Sequence, residues 1–176
     1  MITKTEVKSY LGISANTYDT VLDFLVSGCV AFVESQIRRK IDSANYTELH
    51  NGGKPKYFVR NSPMTAITSV KYNNGTQHTP SWQTVDLENV TFEENGIVHA
   101  PGLPCGSRNI EIKYTGGYAT TPADLAFVIV QLVAKAFEQR NAQGKSREAM
   151  GGVSVDWKDA LTPEQEATIK RYRRLV

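Results

Sequence analysis

The stretch IEIKYTGGYATTPADLAFVIVQLVAKAF, residues 110–137, changes its periodicity in the middle. Ile110-Glu111-Ile112-Lys113-Tyr114 alternates apolar and charged side chains, the two-residue period of a strand with one covered face. Beyond Gly116-Gly117, Thr121 offers a hydroxyl N-cap, Pro122 suits a first helical turn, and Asp124 adds favourable charge there. Leu125, Val128, Ile129, Leu132, Val133, Ala136 and Phe137 then recur at three-and-four spacing, which predicts a helix over about 122–140. Ala126, Phe127 and Val130 make much of its circumference apolar. Such a helix is expected to be central, wrapped by the other elements or partly by another subunit.

Before this stretch, Thr3 and Glu6 have the spacing of a capping box, so a short helix is expected over 4–11, ended by Gly12. Tyr18, Val21, Leu22, Leu25, Cys29, Phe32, Val33 and Ile37 then fall on one face of a long helix over 17–40, and Arg38, Arg39 and Lys40 sit where its macrodipole favours positive charge. From 45 to 116 the texture is of short β-rich runs: 46–50, 57–60, 67–72, 90–93, 97–100 and 110–115. Asn51-Gly52-Gly53, Asn74-Gly75 and Asn95-Gly96 supply the positive-φ residues of tight hairpins, so an antiparallel meander of five or six strands is expected.

After the apolar helix, residues 141–160 lack sustained periodicity and read as a long loop. Thr162-Pro163-Glu164-Gln165 starts a last helix over 163–174 that ends in the basic run Lys170-Arg171-Tyr172-Arg173-Arg174. The expectation is a single α+β domain over 1–176: a bundle of about four helices, with an antiparallel sheet inserted between the second and third.

Composition bounds what such a domain does. The chain has 176 residues and 19.5 kDa, 40% hydrophobic and 22% charged, ordinary globular values. At this length about 70% of the extended-chain surface is removed from water, so neither disulfides nor metal are needed for stability. Twenty Lys+Arg against 18 Asp+Glu leave a net charge of +2, too balanced for the whole surface to bind nucleic acid. Cys29 and Cys105 lie in unlike contexts and read as unpaired, as in a reducing compartment. The start carries no apolar signal core, and the longest uncharged apolar stretch, Phe24 to Val33, is half a membrane span; a soluble protein made in the cytosol, with no membrane partner, is expected.

Chemical motifs weaken on inspection. The helix–Gly12–helix start suits a helix-turn-helix DNA reader, but from Ser14 through Ile37 there is no Lys or Arg, while Asp19, Asp23 and Glu34 are present. A DNA-binding packaging or regulatory protein is therefore the alternative reading. Gly144-Lys145-Ser146 resembles the end of a phosphate-binding loop, but Gln139 stands where the first glycine belongs. His50, His78 and His99 lack ligand spacing, and neither cysteine has a histidine nearby in sequence. No catalytic, cofactor-binding or metal-binding residue is assigned, and an enzyme is not expected.

Val153-Ser154-Val155-Asp156-Trp157 alternates like a strand inside the glycine-bounded loop. It reads either as a flap on its own domain or as an arm that adds to a partner, with Trp157 as anchor. Lys145, Arg147, Val153, Val155, Trp157 and Lys158 from this loop, with Lys170, Arg171, Arg173 and Arg174 from the basic end, are the candidate partner-binding residues.

The order of parts resembles the head-tail connector (head-completion, adaptor) proteins of long-tailed bacteriophages and prophages. The resemblance rests on Tyr114-Thr115-Gly116-Gly117-Tyr118 running into Thr121-Pro122-Ala123-Asp124-Leu125, on Ser62-Pro63-Met64 followed by Ile67-Thr68-Ser69-Val70-Lys71-Tyr72, and on the glycine-bearing loop before a final helix ending in Tyr-Arg-Arg. It covers nearly the whole chain, with Gly116 at the variable place of its most telling motif. It implies a structural virion protein at the head-tail interface, a ring of copies, expected to be twelvefold, under the portal protein. Such a ring extends the DNA channel, with DNA only as passing cargo, and offers a surface to a downstream connector or tail-completion protein. The near-zero net charge fits a channel that must not grip its cargo.

Overall fold

The structure, a computed structural model, describes residues 2–76, 78–140, 147–150, 153–156 and 161–174. It is α+β, with helices α1 (Lys4–Leu11), α2 (Asp19–Ile37), α3 (Ala123–Gln139) and α4 (Pro163–Tyr172). Strands β1 (Ala44–His50), β2 (Lys56–Phe58), β3 (Met64–Asn73), β4 (Trp82–Thr84), β5 (Thr91–Glu93), β6 (Ile97–His99) and β7 (Ile110–Gly116) lie between α2 and α3 in chain order, and β8 (Arg147–Met150) and β9 (Val153–Asp156) lie between α3 and α4. Two compact units result: residues 1–38 with 121–176, and residues 39–120.

In the helical unit α3 is the buried element. Leu125, Val128, Ile129, Val130, Leu132, Val133, Ala134 and Phe137 are all buried, and Phe127 is the large apolar side chain left exposed on it. Val7 of α1, Leu22, Val26, Val33 and Ile37 of α2, and Ile169 of α4 complete this core. Edge-to-face ring pairs fix the packing, Tyr10 on Phe127 at 6.2 Å and Tyr18 on Phe137 at 5.2 Å, and the Arg140 guanidinium caps Phe137 at 3.9 Å. Glu6 accepts hydrogen bonds from the Thr3 amide and hydroxyl, and Thr162 and Gln165 form the second capping box.

Helix ends differ from the sequence reading for local reasons. Arg38 adopts a left-handed φ of 60°, which stops α2 at Ile37, so Arg39 and Lys40 leave the helix. In the second unit the Arg39 guanidinium donates to the Ser62 carbonyl and hydroxyl and to the Tyr118 hydroxyl. At α3 it is Pro122, with extended ψ, that stands at the N-cap, not Thr121. No side chain caps the end, and the Asp124 carboxylate accepts from the Leu125 amide instead.

The second unit is two antiparallel sheets and not a meander: β1-β7-β3-β4 and β2-β6-β5. β7 is the inner strand of the larger sheet, paired with β1 from Ala44↔Gly116 to His50↔Ile110 and with β3 on its other edge. Ile110, Ile112 and Tyr114 are buried there while their alternates are half-buried, the predicted pattern. Of the three turn signals, Asn95-Gly96 closes a hairpin, β5 to β6, with Gly96 at φ 94°. Asn74-Gly75 begins a longer connection from β3 to β4, an exposed strand too polar to show in the sequence. Asn51-Gly52-Gly53 makes no hairpin, because β1 pairs with β7 and β2 with β6; its close neighbours are Asn109 and Cys105.

A polar pin holds this unit. The Tyr114 hydroxyl donates to Glu48 Oε1 at 2.5 Å and accepts from the Asn61 amide at 3.1 Å, while Glu48 also accepts from the Arg60 amide. Burial pushes the Glu48 carboxyl up, but His50, Tyr114 and the Arg60 amide outweigh it and hold the group below its usual range. Burial and the Glu48 carboxylate drive the Tyr114 hydroxyl far above an ordinary phenol. Beside the pin, a Cβ on Gly116 would lie 2.2 Å from the Asn61 carbonyl, and Gly117, at φ 99°, would place one 2.3 Å from the Asp42 carbonyl. Gly116 therefore stands where alanine does not fit without moving backbone.

Gly116→Ala is accordingly expected to cost about 1–3 kcal/mol in chemical denaturation, the range for overpacking. The pin also sets a pH window. Glu48 stabilises above its ordinary value of 4.5 and loses this as pH falls through its lower folded value. Tyr114 stabilises below its ordinary value of 10.0 and loses this as pH rises toward its higher folded one. Thermal melts from pH 3 to 11 are expected to show both limbs, with Glu48→Gln flattening the acid limb and Tyr114→Phe the alkaline one.

Candidate interaction surfaces

Two of the three segments that carried the family resemblance meet, around 61–64 and 114–117. Met64 pairs with Gly116, the Gly117 amide donates to the Pro63 carbonyl at 2.9 Å, and the Asn61 amide reaches the Tyr114 hydroxyl. They form an internal joint of the sheet unit, with Met64 and Tyr114 buried. Spacing in the sequence gave no sign of this meeting, because Met64 and Gly116 are 52 positions apart and the pairing is made through backbone.

The basic end is split by local partners. Lys170 pairs with Glu166 one turn back at 3.2 Å, and Arg171 lies 3.4 Å from Asp124. Both side chains remain about two-thirds exposed, at 64% and 67%. Arg173 is exposed just after α4, and the Arg174 amide donates to the Ile37 carbonyl, tying the chain after α4 to the end of α2. Tyr172, between them, donates its hydroxyl to Asp124; this bond, with help from the Leu125 amide and Arg171, holds that carboxyl below the usual range against partial burial.

In the expected loop, β8 and β9 form a two-stranded antiparallel sheet, with Arg147 opposite Asp156 and Met150 opposite Val153. Arg147, Val153 and Val155 therefore lie on paired backbone, and the alternation at 153–156 did mark a strand. The partner strand 147–150 was missed because Arg-Glu-Ala-Met has no strand alternation. Lys145, Trp157 and Lys158 lie outside the described residues.

α2 does not present the surface of a DNA reader. Lys4 and Lys8 of α1 point at its carboxylates, Lys8 to Asp19 at 2.9 Å and Lys4 to Asp23 at 3.0 Å. Besides a polar flank with Asp23 and Ser27, α2 exposes large apolar side chains: Phe24 is 78% exposed, Val21 41% and Phe32 37%. Val21 and Phe32 were read as core residues, and Phe24 was not singled out. The available signal was that α2 is apolar well beyond one stripe, with Phe24, Val30 and Ala31 outside it.

Two of the three histidines lie beside glutamates. His99 Nε2 is 2.8 Å from Glu93, and His50 Nε2 is 3.4 Å from Glu48. No group of three or more His, Cys, Asp or Glu among the described residues is placed to hold a metal ion. Cys29 and Cys105 are free thiols, and burial pushes the Cys29 thiol up.

The chain matches one family model over residues 1–175, that of the head completion protein. The chain belongs to the head completion protein family. Its fold is also that of a chain from the neck of an empty gene transfer agent (GTA) particle computed with C6 symmetry, at TM-score 0.68 and 16% identity, covering 98% of this chain and 89% of that one. Similar are a chain from the neck of a native GTA particle computed with C12 symmetry, at TM-score 0.64, 17% identity and coverage of 98% and 88%, and one from the virion of the native particle, at 0.68, 17%, 98% and 89%. No curated protein matches the chain significantly.

Tyr172→Phe removes the first of the contacts that hold Asp124 low. Titration followed by carboxyl NMR is expected to show the Asp124 midpoint rising toward its ordinary value of 3.8, and thermal melts a modest loss of stability at neutral pH.

Proposed function

We propose that this protein is a structural, non-enzymatic component of the virion neck, a connector that sits as a ring of copies beneath the portal protein at the head-tail interface. The ring extends the DNA channel and presents a docking surface to the next connector or tail-completion protein. The observation that carries this reading is the match of the head completion family to residues 1–175, essentially the whole chain. The C6 and C12 neck particles that share the fold support a ring, with twelve copies as the expected number. In this reading the whole chain works as one connector domain, a helical bundle into which the sheet unit is inserted.

Lys170, Arg171, Arg173 and Arg174 dock on the portal. Lys170 and Arg171 hold carboxylates of their own unit yet keep most of their surface in solvent, so they can reach a second acidic partner. The segment around the β8–β9 pair, with Lys145, Arg147, Val153, Val155, Trp157 and Lys158, reaches a neighbouring subunit or a tail-side partner. A two-stranded hairpin alone is marginal in water and gains from a third surface.

Deleting the gene is expected to give filled or empty heads without tails, with the wild-type chain restoring the neck and appearing in purified particles. Absence of the chain from finished particles would remove the reading. Replacing the four basic residues by Gln is expected to weaken portal attachment in a pull-down, most at raised salt, where screening already opposes the contact. Attachment unchanged in the quadruple variant would remove the docking assignment.

A further inference from the structure

α2 packs against α1, α3 and α4 and still leaves one apolar face uncovered. Its core face, Leu22, Val26, Val33 and Ile37, is buried in the helical unit. One flank of the helix, with Asp23, Ser27 and Glu34, is polar. Between them runs a second apolar face, Val21, Phe24, Leu25, Gly28 and Phe32, at the three-and-four spacing that keeps residues in line along a helix. Phe24, Val21 and Phe32 alone leave about 300 Å² of apolar side chain in water, taking about 200 Å² for a whole phenylalanine. That is more than a third of the about 800 Å² that each partner contributes to a stable interface, before the backbone of Gly28 and Ala31 is counted.

Gly28 points the same way. It sits in the middle of a 19-residue helix, where glycine costs about 1 kcal/mol relative to alanine. A Cβ there would meet nothing within 4 Å, so nothing in the free subunit requires its absence. Close approach of another chain's backbone would require it. No Lys or Arg occurs between Ser14 and Ile37, so the face lacks the cations that bind phosphate, while an aromatic centre without charge is the composition of a protein interface core.

We infer that this face of α2 is the lateral contact between copies of the chain, with Phe24 seated in the neighbouring subunit and Gly28 as the point of closest approach. The inference rests on the connector reading. In a closed ring each subunit makes the same contact with the next copy, and this permanent interface is the one to which the most apolar exposed face belongs. It also assigns cover by a neighbour, which the sequence offered as one of two alternatives for α3, to α2.

The test is self-association of the pure full chain, by sedimentation velocity from 1 to 200 µM with native mass spectrometry, for wild type, Phe24→Ser, Gly28→Ala and Gly28→Leu. Wild type is expected to associate, Phe24→Ser to weaken association about thirtyfold or more, as for loss of an aromatic hot spot, and Gly28→Leu to abolish it. Gly28→Ala carries the discriminating signature: a subunit that melts a few degrees higher but associates more weakly, a combination that a merely structural role does not give. A wild type monomeric throughout, or variants that associate as wild type does, overturns the inference. So does Phe24-dependent binding to phosphatidylcholine–phosphatidylglycerol vesicles, since by length and composition α2 could also meet a lipid phase. Presence of the chain in particles is scored separately, so failure of this contact and failure of the connector reading are told apart.

Discussion

The burial of α3 is the constraint on which the helical unit depends. Eight of its side chains leave water, drawn from almost every side of the helix, so α1, α2 and α4 must all turn their apolar residues toward it. That demand consumes Val7, Leu22, Val26, Val33, Ile37 and Ile169. A helix as apolar as α2 has more hydrophobic surface than its neighbours α1, α3 and α4 cover, and the remainder stays in solvent as Val21, Phe24 and Phe32. The exposed face is thus a consequence of how the core is filled and not an isolated oddity.

The sheet unit is held differently, by a joint at which backbone and polar groups meet. Gly116 and Gly117 let the end of β7 pass within contact of the Asn61 and Asp42 carbonyls, and Tyr114, one turn of the pleat earlier, ties Glu48 on β1 to Asn61 ahead of β3. Each group is satisfied by another, so loss of one leaves a buried partner unpaired, which costs more than the bond itself contributes. This explains why a segment that looks like a flexible glycine linker is one of the most closely packed places in the unit.

These two kinds of packing suit a part that must be rigid by itself and also join others. A connector needs a fixed subunit, because a ring closes only if every copy presents the same angle. It needs uncovered surface as well, apolar where contact is permanent and charged where docking occurs late. In the proposed connector the exposed flank of α2 and the basic end of α4 would serve these two purposes, and both helices pack on α3.

What the sequence determined by itself was local: helices with their capping boxes at Thr3 and Thr162, the alternation of β7, the Asn95-Gly96 hairpin, and the family, through motifs whose residues follow one another directly. These are legible because periodicity, capping and turn chemistry act over fewer than about ten residues. Only tertiary structure decided that β1 pairs with β7, that Asn51-Gly52-Gly53 packs instead of turning a hairpin, that Arg39 serves the sheet unit, and that Val21 and Phe32 stay outside the core. Each of these depends on which distant group occupies the adjoining space. Apolar side chains at helical spacing say that a face seeks cover, and only the packed chain shows which face has already found it.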